Sequence, residues 1–260
     1  MLAAPGHWRA IDFISDLHLQ ASEVATFSAW QHYLANTPAD AVFILGDLFE
    51  VWVGDDVLVS APGQPPPFEA ICQQALRAAS ARLALFFMHG NRDFLLGQAF
   101  AQACNMRLLS DPTVLAFDAQ RWLLTHGDRL CLDDTDYQRF RAMVRTDEWR
   151  EQFLAKPLAA RQALARGLRE QSESRKASGA SYADVDTPEA IRWLGTAQAS
   201  TLIHGHTHKP ASHWLDGAGA APLRRLVLSD WDANAPPPRL EVLRLQVGQP
   251  PQRIQLTAGA

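Results

Sequence analysis

Residue types that bind metal ions follow five apolar segments of the chain. The segments read IDFIS, AVFIL, LALFFM, RWLLT and STLI, and they are followed by DLHL, GDLFE, HGNRD, HGD and HGHTH. These stretches supply carboxylate, amide and imidazole groups but no thiolate, a donor set suited to Mn²⁺, Fe or Zn²⁺. The candidate ligands are Asp16, His18, Asp47, Asn91, His126, His206 and His208.

The number of candidate ligands points to two ions. Seven protein ligands would leave a single catalytic ion no open position, whereas two ions that share one carboxylate account for all of them. Such pairs, about 3.5–4 Å apart, serve in-line displacement at phosphorus. Asp16 and His18 are two residues apart, as are His206 and His208, so an extended backbone would direct each pair to one face. The pattern predicts a dinuclear centre for phosphoester chemistry.

The apolar segments are predicted to be buried strands of an α/β fold. Alternation of strands with helices is typical of helices packed on sheets, and open α/β sheets collect their sites at the carboxyl ends of strands. Two late strands, separated by the turn-rich DANAPPP, are predicted to be antiparallel. The predicted strands cover 11–15, 41–45, 83–88, 121–125, 200–203, 224–229 and 239–245, and the predicted helices 22–35, 66–81 and 94–104.

Residues 133–179 are predicted to be a helical insertion into a core formed by 1–132 and 180–260. Between Arg139 and Lys176 there are ten Lys and Arg residues against five Asp and Glu, in a chain of net charge −4. One interpretation is a helical hairpin that packs on its own sandwich and leaves its charges in solvent. Helical spacing groups the apolar side chains Phe140, Val144, Phe153, Leu154, Leu158, Leu164 and Leu168.

Composition excludes several other classes of protein. The chain is 47% hydrophobic and slightly acidic, which does not suggest a dedicated nucleic-acid binder. Its N-terminus lacks the charged and apolar regions of a signal peptide, and no apolar run is long enough to span a bilayer. We therefore expect a cytoplasmic protein, soluble or attached at its surface. The three cysteines are scattered and indicate reduced thiols.

The order DxH, GD, GN, H and GHxH resembles the signature of the calcineurin-like metallophosphoesterases. The resemblance implies a four-layered α/β/β/α sandwich and a dinuclear centre in which Asp47 bridges the ions. A water or hydroxide between the ions would be the nucleophile, and Asp47, Asn91 and His206 would be catalytic. By motif position, one ion would be held by Asp16, His18, Asp47 and His208, and the other by Asp47, Asn91, His126 and His206.

Arg92 departs from the pattern of most of that superfamily. The usual residue after GN is a His that can assist departure of the leaving group, whereas this chain reads GNRD. An Arg stays protonated and cannot act as a general acid, but its guanidinium can donate two N–H bonds to a phosphate. A phosphate monoester is a good leaving group without protonation, and the main requirement is that its negative charge is stabilised. Arg92 is therefore expected to be a catalytic residue, and its presence favours a diphosphate bond as the substrate.

Longer strings are similar to the UDP-2,3-diacylglucosamine pyrophosphohydrolases of lipid A biosynthesis. These strings are SDLHL, ILGDLFEVWVGDD, HGNRDFLLG, THGDRLCLDDTDYQRFR and IHGHTHKPA, which extend from residue 15 to 211, with VLSDW at 227–231. The resemblance implies hydrolysis at the α-phosphorus of UDP-2,3-diacylglucosamine to UMP and 2,3-diacylglucosamine 1-phosphate. It also implies two Mn²⁺ ions as cofactors, with Fe or Zn²⁺ permitted by the donor set.

The same resemblance supplies a second interpretation of the helical insertion. It would be a cap whose apolar groove takes acyl chains, while its basic rim meets phosphates or the cytoplasmic face of the inner membrane. Lys176 matches either of two family positions, an Asn or a Lys. The substrate-binding residues implied are Asn91, Arg92, Asp134, Ser172, Lys176 and His206.

Two other classes of function remain to be compared. Another calcineurin-like phosphodiesterase, such as a nuclease, a nucleotide phosphodiesterase or a protein phosphatase, would share the ligands but would not explain Arg92 or the insertion. A nuclease would also present a basic stripe with aromatic stacking residues, whereas this chain is acidic outside the insertion, so no nucleic-acid partner is expected. A non-enzymatic scaffold would not need every ligand, and none is missing.

Overall fold

Two sheets and seven helices make up the described part of the chain. A computed structural model describes residues 1–60, 63–177, 183–216 and 222–257, with the backbone alone described at 169–177. The strands are β1 (Leu2–Ala3), β2 (Ala10–Ile14), β3 (Ala41–Leu45), β4 (Ala84–Met88), β5 (Met106–Leu109), β6 (Thr113–Phe117), β7 (Gln120–Leu124), β8 (Thr201–His204), β9 (Ala211–Leu215), β10 (Leu223–Val227), β11 (Glu241–Gln246) and β12 (Gln252–Gln255). The helices are α1 (Val24–Asn36), α2 (Phe68–Ala79), α3 (Gln98–Ala103), α4 (Thr135–Val144), α5 (Asp147–Leu154), α6 (Leu158–Ala177) and α7 (Thr187–Ala197).

The two sheets pack face to face between layers of helices. The first sheet has the order β12-β11-β2-β3-β4-β5, and the second has the order β1-β6-β7-β8-β10-β9. Alternate residues of a strand in the first sheet pack into different apolar clusters, one between the two sheets and one between the sheet and its helices. Phe43 of β3 points between the sheets and stacks on Phe86 at 4.3 Å between ring centroids, whereas Ile44 packs with Trp30 of α1. Because α7 covers the second sheet in the same way, the predicted α/β/β/α order is confirmed.

The strands that precede the ligands are parallel and central. Strand β3 pairs in parallel with β2 on one side and β4 on the other, and β8 pairs in parallel with β7 and β10. Every residue of β2 and of β3 is buried, because these strands are covered on both faces. Continuous apolar runs were therefore a correct signal for these strands.

The prediction that the two late strands form an antiparallel pair is wrong. Strand β10 is parallel to β8 and antiparallel to β9 in the second sheet, whereas β11 is antiparallel to β2 and β12 in the first sheet. The connection between them crosses from one sheet to the other and passes the ligand loops, where the Trp231 N–H donates to the Asp16 carbonyl at 3.0 Å. A turn-rich linker indicates a reversal of the chain but not which sheet the next strand joins.

Helices α4, α5 and α6 follow β7 in the region where the helical insertion was predicted. Phe153 is buried in the same apolar cluster as Trp52, and its ring stacks on that of Trp149 at 4.7 Å. Leu154, Leu164 and Leu168 are 40%, 48% and 47% exposed. These helices therefore pack on the sandwich with one face and leave apolar side chains in solvent on another. None of the helices in the described ranges has the length and apolar character needed to cross a membrane.

Candidate dinuclear metal centre

All seven predicted ligands come together at one end of the two sheets. Asp16 and His18 follow β2, Asp47 follows β3, and Asn91 follows β4. The other three are supplied by the loops after β7 and β8 of the second sheet. Two overlapping groups have ligand atoms within 4.8 Å of one another, namely Asp16, His18 and His208, and Asp16, Asp47 and His126.

The backbone at five of the ligands is left-handed rather than extended. The φ angles of these residues lie between 48° and 67°, a region that costs a non-glycine residue about 1–3 kcal/mol. The expectation that an extended backbone aims each DxH or HxH pair is therefore wrong. The chain turns sharply as it leaves the sheet, and hydrogen bonds between loops hold the turn, as between the His18 N–H and the Asp47 carbonyl at 3.0 Å. The residues concerned are Asp16, His18, Asp47, His206 and His208.

Two glycines let the ligand loops approach one another. Gly46 has a φ of +92°, and a Cβ there would lie 2.5 Å from His126 Nδ1. A Cβ on Gly90 would overlap the Asp47 carboxylate. Because L-residues with a side chain would push these ligands apart, the glycines are required by the packing of the centre itself.

The first group of ligands brings two imidazole nitrogens and a carboxylate oxygen close together. His18 Nε2 and His208 Nε2 are 3.2 Å apart. His208 Nε2 is also 3.4 Å from Asp16 Oδ1, a buried oxygen that receives no well-aligned hydrogen bond from the described residues. Two imidazole nitrogens and an unpaired carboxylate oxygen are a donor set that a divalent cation would satisfy.

A carboxylate lies behind each of the two imidazoles of this group. His18 Nδ1 lies 2.9 Å from Glu50 Oε2, and His208 Nδ1 lies 3.8 Å from Asp230 Oδ2. Carboxylates behind ligating histidines fix the ring orientation and raise the basicity of the ligand. Sequence reasoning did not identify Glu50 or Asp230. Both lie in strings that carried the resemblance, GDLFE and VLSDW.

Asn91, His126 and His206 form a further cluster, which centres on the side-chain oxygen of Asn91. Asn91 Oδ1 is 3.0 Å from His126 Nε2 and 2.8 Å from His206 Nδ1. His126 Nδ1 lies 2.8 Å from the Leu45 carbonyl, which can only accept, so Nδ1 carries the proton and Nε2 is left for a ligand bond. Asp47 Oδ2 is 3.8 Å from the same Nε2, so this carboxylate lies beside the cluster around Asn91.

Electrostatics in the centre favours cation binding. Burial acts to raise the pKa of Asp16, but His208, His126 and His18 outweigh it and hold the pKa well below its usual range. Burial, followed by the proximity of His126, lowers the pKa of His206 to about 4, which leaves its imidazole neutral at pH 7. Burial also opposes protonation of His126, yet Asp47 and Asp16 together raise its pKa to about 9. The field that attracts this proton would equally attract a divalent cation.

Asp93 holds the loops after β3 and β4 together. Its buried carboxylate accepts hydrogen bonds from the backbone N–H groups of Gly90 at 2.9 Å, Leu48 at 2.7 Å and Asp47 at 3.3 Å. The bridging candidate Asp47 is therefore positioned by a residue that sequence reasoning passed over. The available signal was its place directly after Arg92 in GNRD.

Arg92 lies beside the ligands with its backbone fixed on both sides. Its N–H donates to Asp47 Oδ1 at 2.8 Å, and its carbonyl accepts from the Trp52 N–H at 3.1 Å. The side chain is 19% exposed, with Nη1 3.8 Å from Glu50 Oε1. The backbone of Arg92 is thus held next to the candidate ligand Asp47.

Helix α4 brings Tyr137, Arg141 and Arg145 close to the centre. The Tyr137 ring lies nearly parallel to the His206 ring, with 6.0 Å between centroids. Arg145 Nη2 donates to the Gly90 carbonyl at 2.6 Å, and Arg141 Nε donates to Asp128 at 2.7 Å. One wall of the site is therefore formed by this helix.

The structure describes the side chain of only one of the three residues of the insertion that were predicted to contact substrate. Asp134 is the N-cap of α4, where its Oδ1 accepts from the Tyr137 N–H at 3.1 Å. That contact is sufficient to explain an Asp at this position. Ser172 and Lys176 lie on α6, but their side chains are outside the described residues. Substrate binding by all three stays a prediction.

Comparison with known proteins agrees with this geometry. Residues 10–210 match the model of the calcineurin-like phosphoesterases. The chain belongs to the calcineurin-like phosphoesterase family. A more distant solved structure, a single mutant of Vps29 from Entamoeba histolytica, covers 95% of this chain and 99% of that one at 13% identity, with a TM-score of 0.46.

Curated relatives narrow the assignment within that family. The UDP-2,3-diacylglucosamine hydrolase of Chromobacterium violaceum is 46% identical over 231 residues, which cover 85% of this chain and 90% of the relative. The protein of the same name from Cellvibrio japonicus is 44% identical over 222 residues, which cover 84% of this chain and 90% of the relative. The chain groups with the UDP-2,3-diacylglucosamine hydrolases, as its motifs predicted.

Proposed function

We propose that the protein hydrolyses the diphosphate bond of UDP-2,3-diacylglucosamine to UMP and 2,3-diacylglucosamine 1-phosphate. The names of its relatives support the substrate, and the converging ligands support metal-assisted hydrolysis. The observation that carries the proposal is the position of Arg92, which is tied through its backbone to the candidate bridging ligand Asp47 and stands where most of the superfamily has a His after GN.

The ligand assignment follows the positions of the residues in the family motifs. Asp47 would bridge two divalent ions, and Mn²⁺ is the proposed metal, with Fe or Zn²⁺ as alternatives. When bound, such a pair supplies an activated water at neutral pH and offsets charge on the phosphate. One ion would be held by Asp16, His18, Asp47 and His208, and the other by Asp47, Asn91, His126 and His206.

The remaining side chains would bind and orient the diphosphate. Arg92 would donate two N–H bonds to the phosphate that departs with the sugar, because its backbone is fixed beside Asp47 and a guanidinium presents two parallel N–H donors. Asn91 and His206 would orient the attacked phosphate, since Asn91 Oδ1 and His206 Nδ1 lie 2.8 Å apart within the centre. Asp134, Ser172 and Lys176 remain proposed contacts of the substrate.

The helices at 133–179 are the proposed cap of a core formed by 1–132 and 180–260. Exposed leucines on α5 and α6 supply an apolar surface that could take acyl chains, and the surrounding sequence is rich in arginine. We propose peripheral contact with the cytoplasmic face of the inner membrane through this surface. Co-sedimentation with anionic vesicles should occur and should weaken with salt, and failure to sediment would contradict the membrane contact.

The first experiment compares two substrates on metal-stripped protein. Mn²⁺, Fe²⁺ or Zn²⁺ is added back with UDP-2,3-diacylglucosamine or with bis(4-nitrophenyl) phosphate, and UMP and nitrophenol release are followed. Fast, metal-dependent UMP release would support the proposal, and the most active metal would test the choice of Mn²⁺. Turnover of the aryl ester alone would keep the metal centre and reject the substrate.

A further inference from the structure

The segment VWVGDD, residues 51–56, contains none of the metal ligands, yet it contacts both the active-site loop and the helical cap. Its first contact is the hydrogen bond from the Trp52 N–H to the Arg92 carbonyl at 3.1 Å. Asp55 accepts hydrogen bonds from the Trp52 indole at 3.1 Å and from the Gly97 N–H at 2.8 Å. These bonds make the segment a rigid extension of the loop that carries Arg92.

The second contact is an ion pair with helix α6. Arg161 is 2% exposed, and its guanidinium donates to both carboxylate oxygens of Asp56, with Nη1 to Oδ1 at 2.9 Å. The same Nη1 donates to the Val53 carbonyl, and Nε donates to the Lys156 carbonyl at 2.9 Å. The Arg161 hydrogen bond lowers the pKa of Asp56, so the pair is charged at neutral pH.

Gly54 makes this contact possible. Its φ is +130°, and a Cβ there would lie 2.5 Å from Arg161 Nη1 and 2.8 Å from Leu154 Cδ2. The glycine therefore lets α5 and α6 approach the segment closely enough for the fork of hydrogen bonds to form. Asp56 itself is 53% exposed, so the carboxylate is not needed to fill the core.

We infer that Asp56 and Arg161 are positioning residues that hold the cap in register with the loop of Arg92. Helix α6, which carries Ser172 and Lys176, is tied by Arg161 to a segment that is itself tied to Arg92. The pair therefore sets the distance between the cap and the diphosphate site, and it acts on acylated substrate without touching the reacting atoms. The effect on substrate rests on the proposed function, whereas the anchoring of α6 does not.

The test is Asp56→Asn, which keeps the shape of the side chain but turns an N–H₂ group toward the guanidinium. Asp184→Asn is the matched control, because Asp184 is also half-exposed and also forks with a buried arginine, Arg225, which belongs to the second sheet. Kinetics on UDP-2,3-diacylglucosamine and on bis(4-nitrophenyl) phosphate are measured alongside amide hydrogen exchange in α6.

Asp56→Asn should raise the KM for the acylated substrate about tenfold or more, since misplacement of a binding element by about 1 Å costs up to about 100-fold. Turnover of the aryl ester should stay within about twofold, because the metal ligands are not moved. Exchange in α6 should become about tenfold faster in Asp56→Asn and stay unchanged in Asp184→Asn. Asp56→Glu, which retains the charge, should restore most of the KM.

Three results would overturn the inference. The first is an unchanged KM and unchanged exchange in Asp56→Asn, and the second is an equal loss on both substrates, which a merely structural role would produce. The third is an equal change in Asp184→Asn. If wild-type protein fails to cleave the acylated substrate, the proposed function is wrong. The hydrogen-exchange measurement then tests by itself whether the Asp56–Arg161 pair anchors α6. If Asp56→Asn does not fold, Arg161→Lys replaces it, since a lysine keeps the charge but cannot form the fork.

Discussion

Arg92→Ala separates phosphate binding from metal chemistry. Only the side chain is removed, and both hydrogen bonds that fix this residue are made by the backbone, to Asp47 Oδ1 and from the Trp52 N–H. The substitution should therefore leave the metal ligands in place. A direct check is the metal content of the purified variant, which should equal that of the wild type.

The size of the effect follows from the bonds that the guanidinium can make. Two hydrogen bonds to a charged phosphate at about 1.5 kcal/mol each amount to about 3 kcal/mol, or about 150-fold in kcat/KM for the diphosphate. The guanidinium must give up its contact with Glu50 Oε1, but at 3.8 Å and partly in solvent that contact is weak and changes the figure little. Bis(4-nitrophenyl) phosphate has a leaving group without a phosphate, so its turnover should fall by no more than about threefold.

The assay follows UMP release and nitrophenol release by the same protein preparations. Arg92→Lys is the control, since it keeps a positive charge but cannot form two parallel bonds, and it should lie between the wild type and Arg92→Ala. Equal losses on the two substrates in Arg92→Ala would refute the assignment of this residue to the departing phosphate.

Three further substitutions test the centre and its support. Asp47→Ala should abolish turnover and remove half or all of the bound metal, measured by elemental analysis, because both ions lose a ligand; near-normal activity would exclude the dinuclear arrangement. Gly90→Ala should reduce activity by about 100-fold or more, since its Cβ would overlap the Asp47 carboxylate. Phe153→Ala should lower the free energy of unfolding by about 3 kcal/mol in urea titrations, because its ring is buried against the core.

Gly167→Ala and Leu154→Ala serve as controls for Gly90→Ala and Phe153→Ala, respectively. Gly167→Ala lies in α6 where a Cβ would meet nothing within 4 Å, so activity should be unchanged and the helix slightly stabilised. Leu154→Ala removes a side chain that is 40% exposed, and its cost in free energy of unfolding should be less than half that of Phe153→Ala. Equal costs for the two would show that Phe153 does not anchor α5 to the core.

Much of the centre could be predicted from local sequence. Parallel strands that are covered on both faces are continuous apolar runs, and ligands can only follow them at their carboxyl ends, so Asp16, Asp47 and His126 were identified together with their order around the sheets. Arg92 could be identified for a similar reason, because it directly follows the ligand Asn91 in the same loop. Local pattern sufficed wherever the geometry was determined within one strand and the loop after it.

Tertiary structure alone decided the contacts between distant segments. Strands β10 and β11 follow one another in the chain but belong to different sheets. Asp134 caps its own helix α4, a contact that the sequence motif did not indicate. Asp56 and Arg161 are 105 residues apart, and nothing in the spacing of either predicts the other. A sequence pattern records which side chains are buried and with what period, whereas the choice of partner depends on how whole layers pack, which is a property of the folded chain.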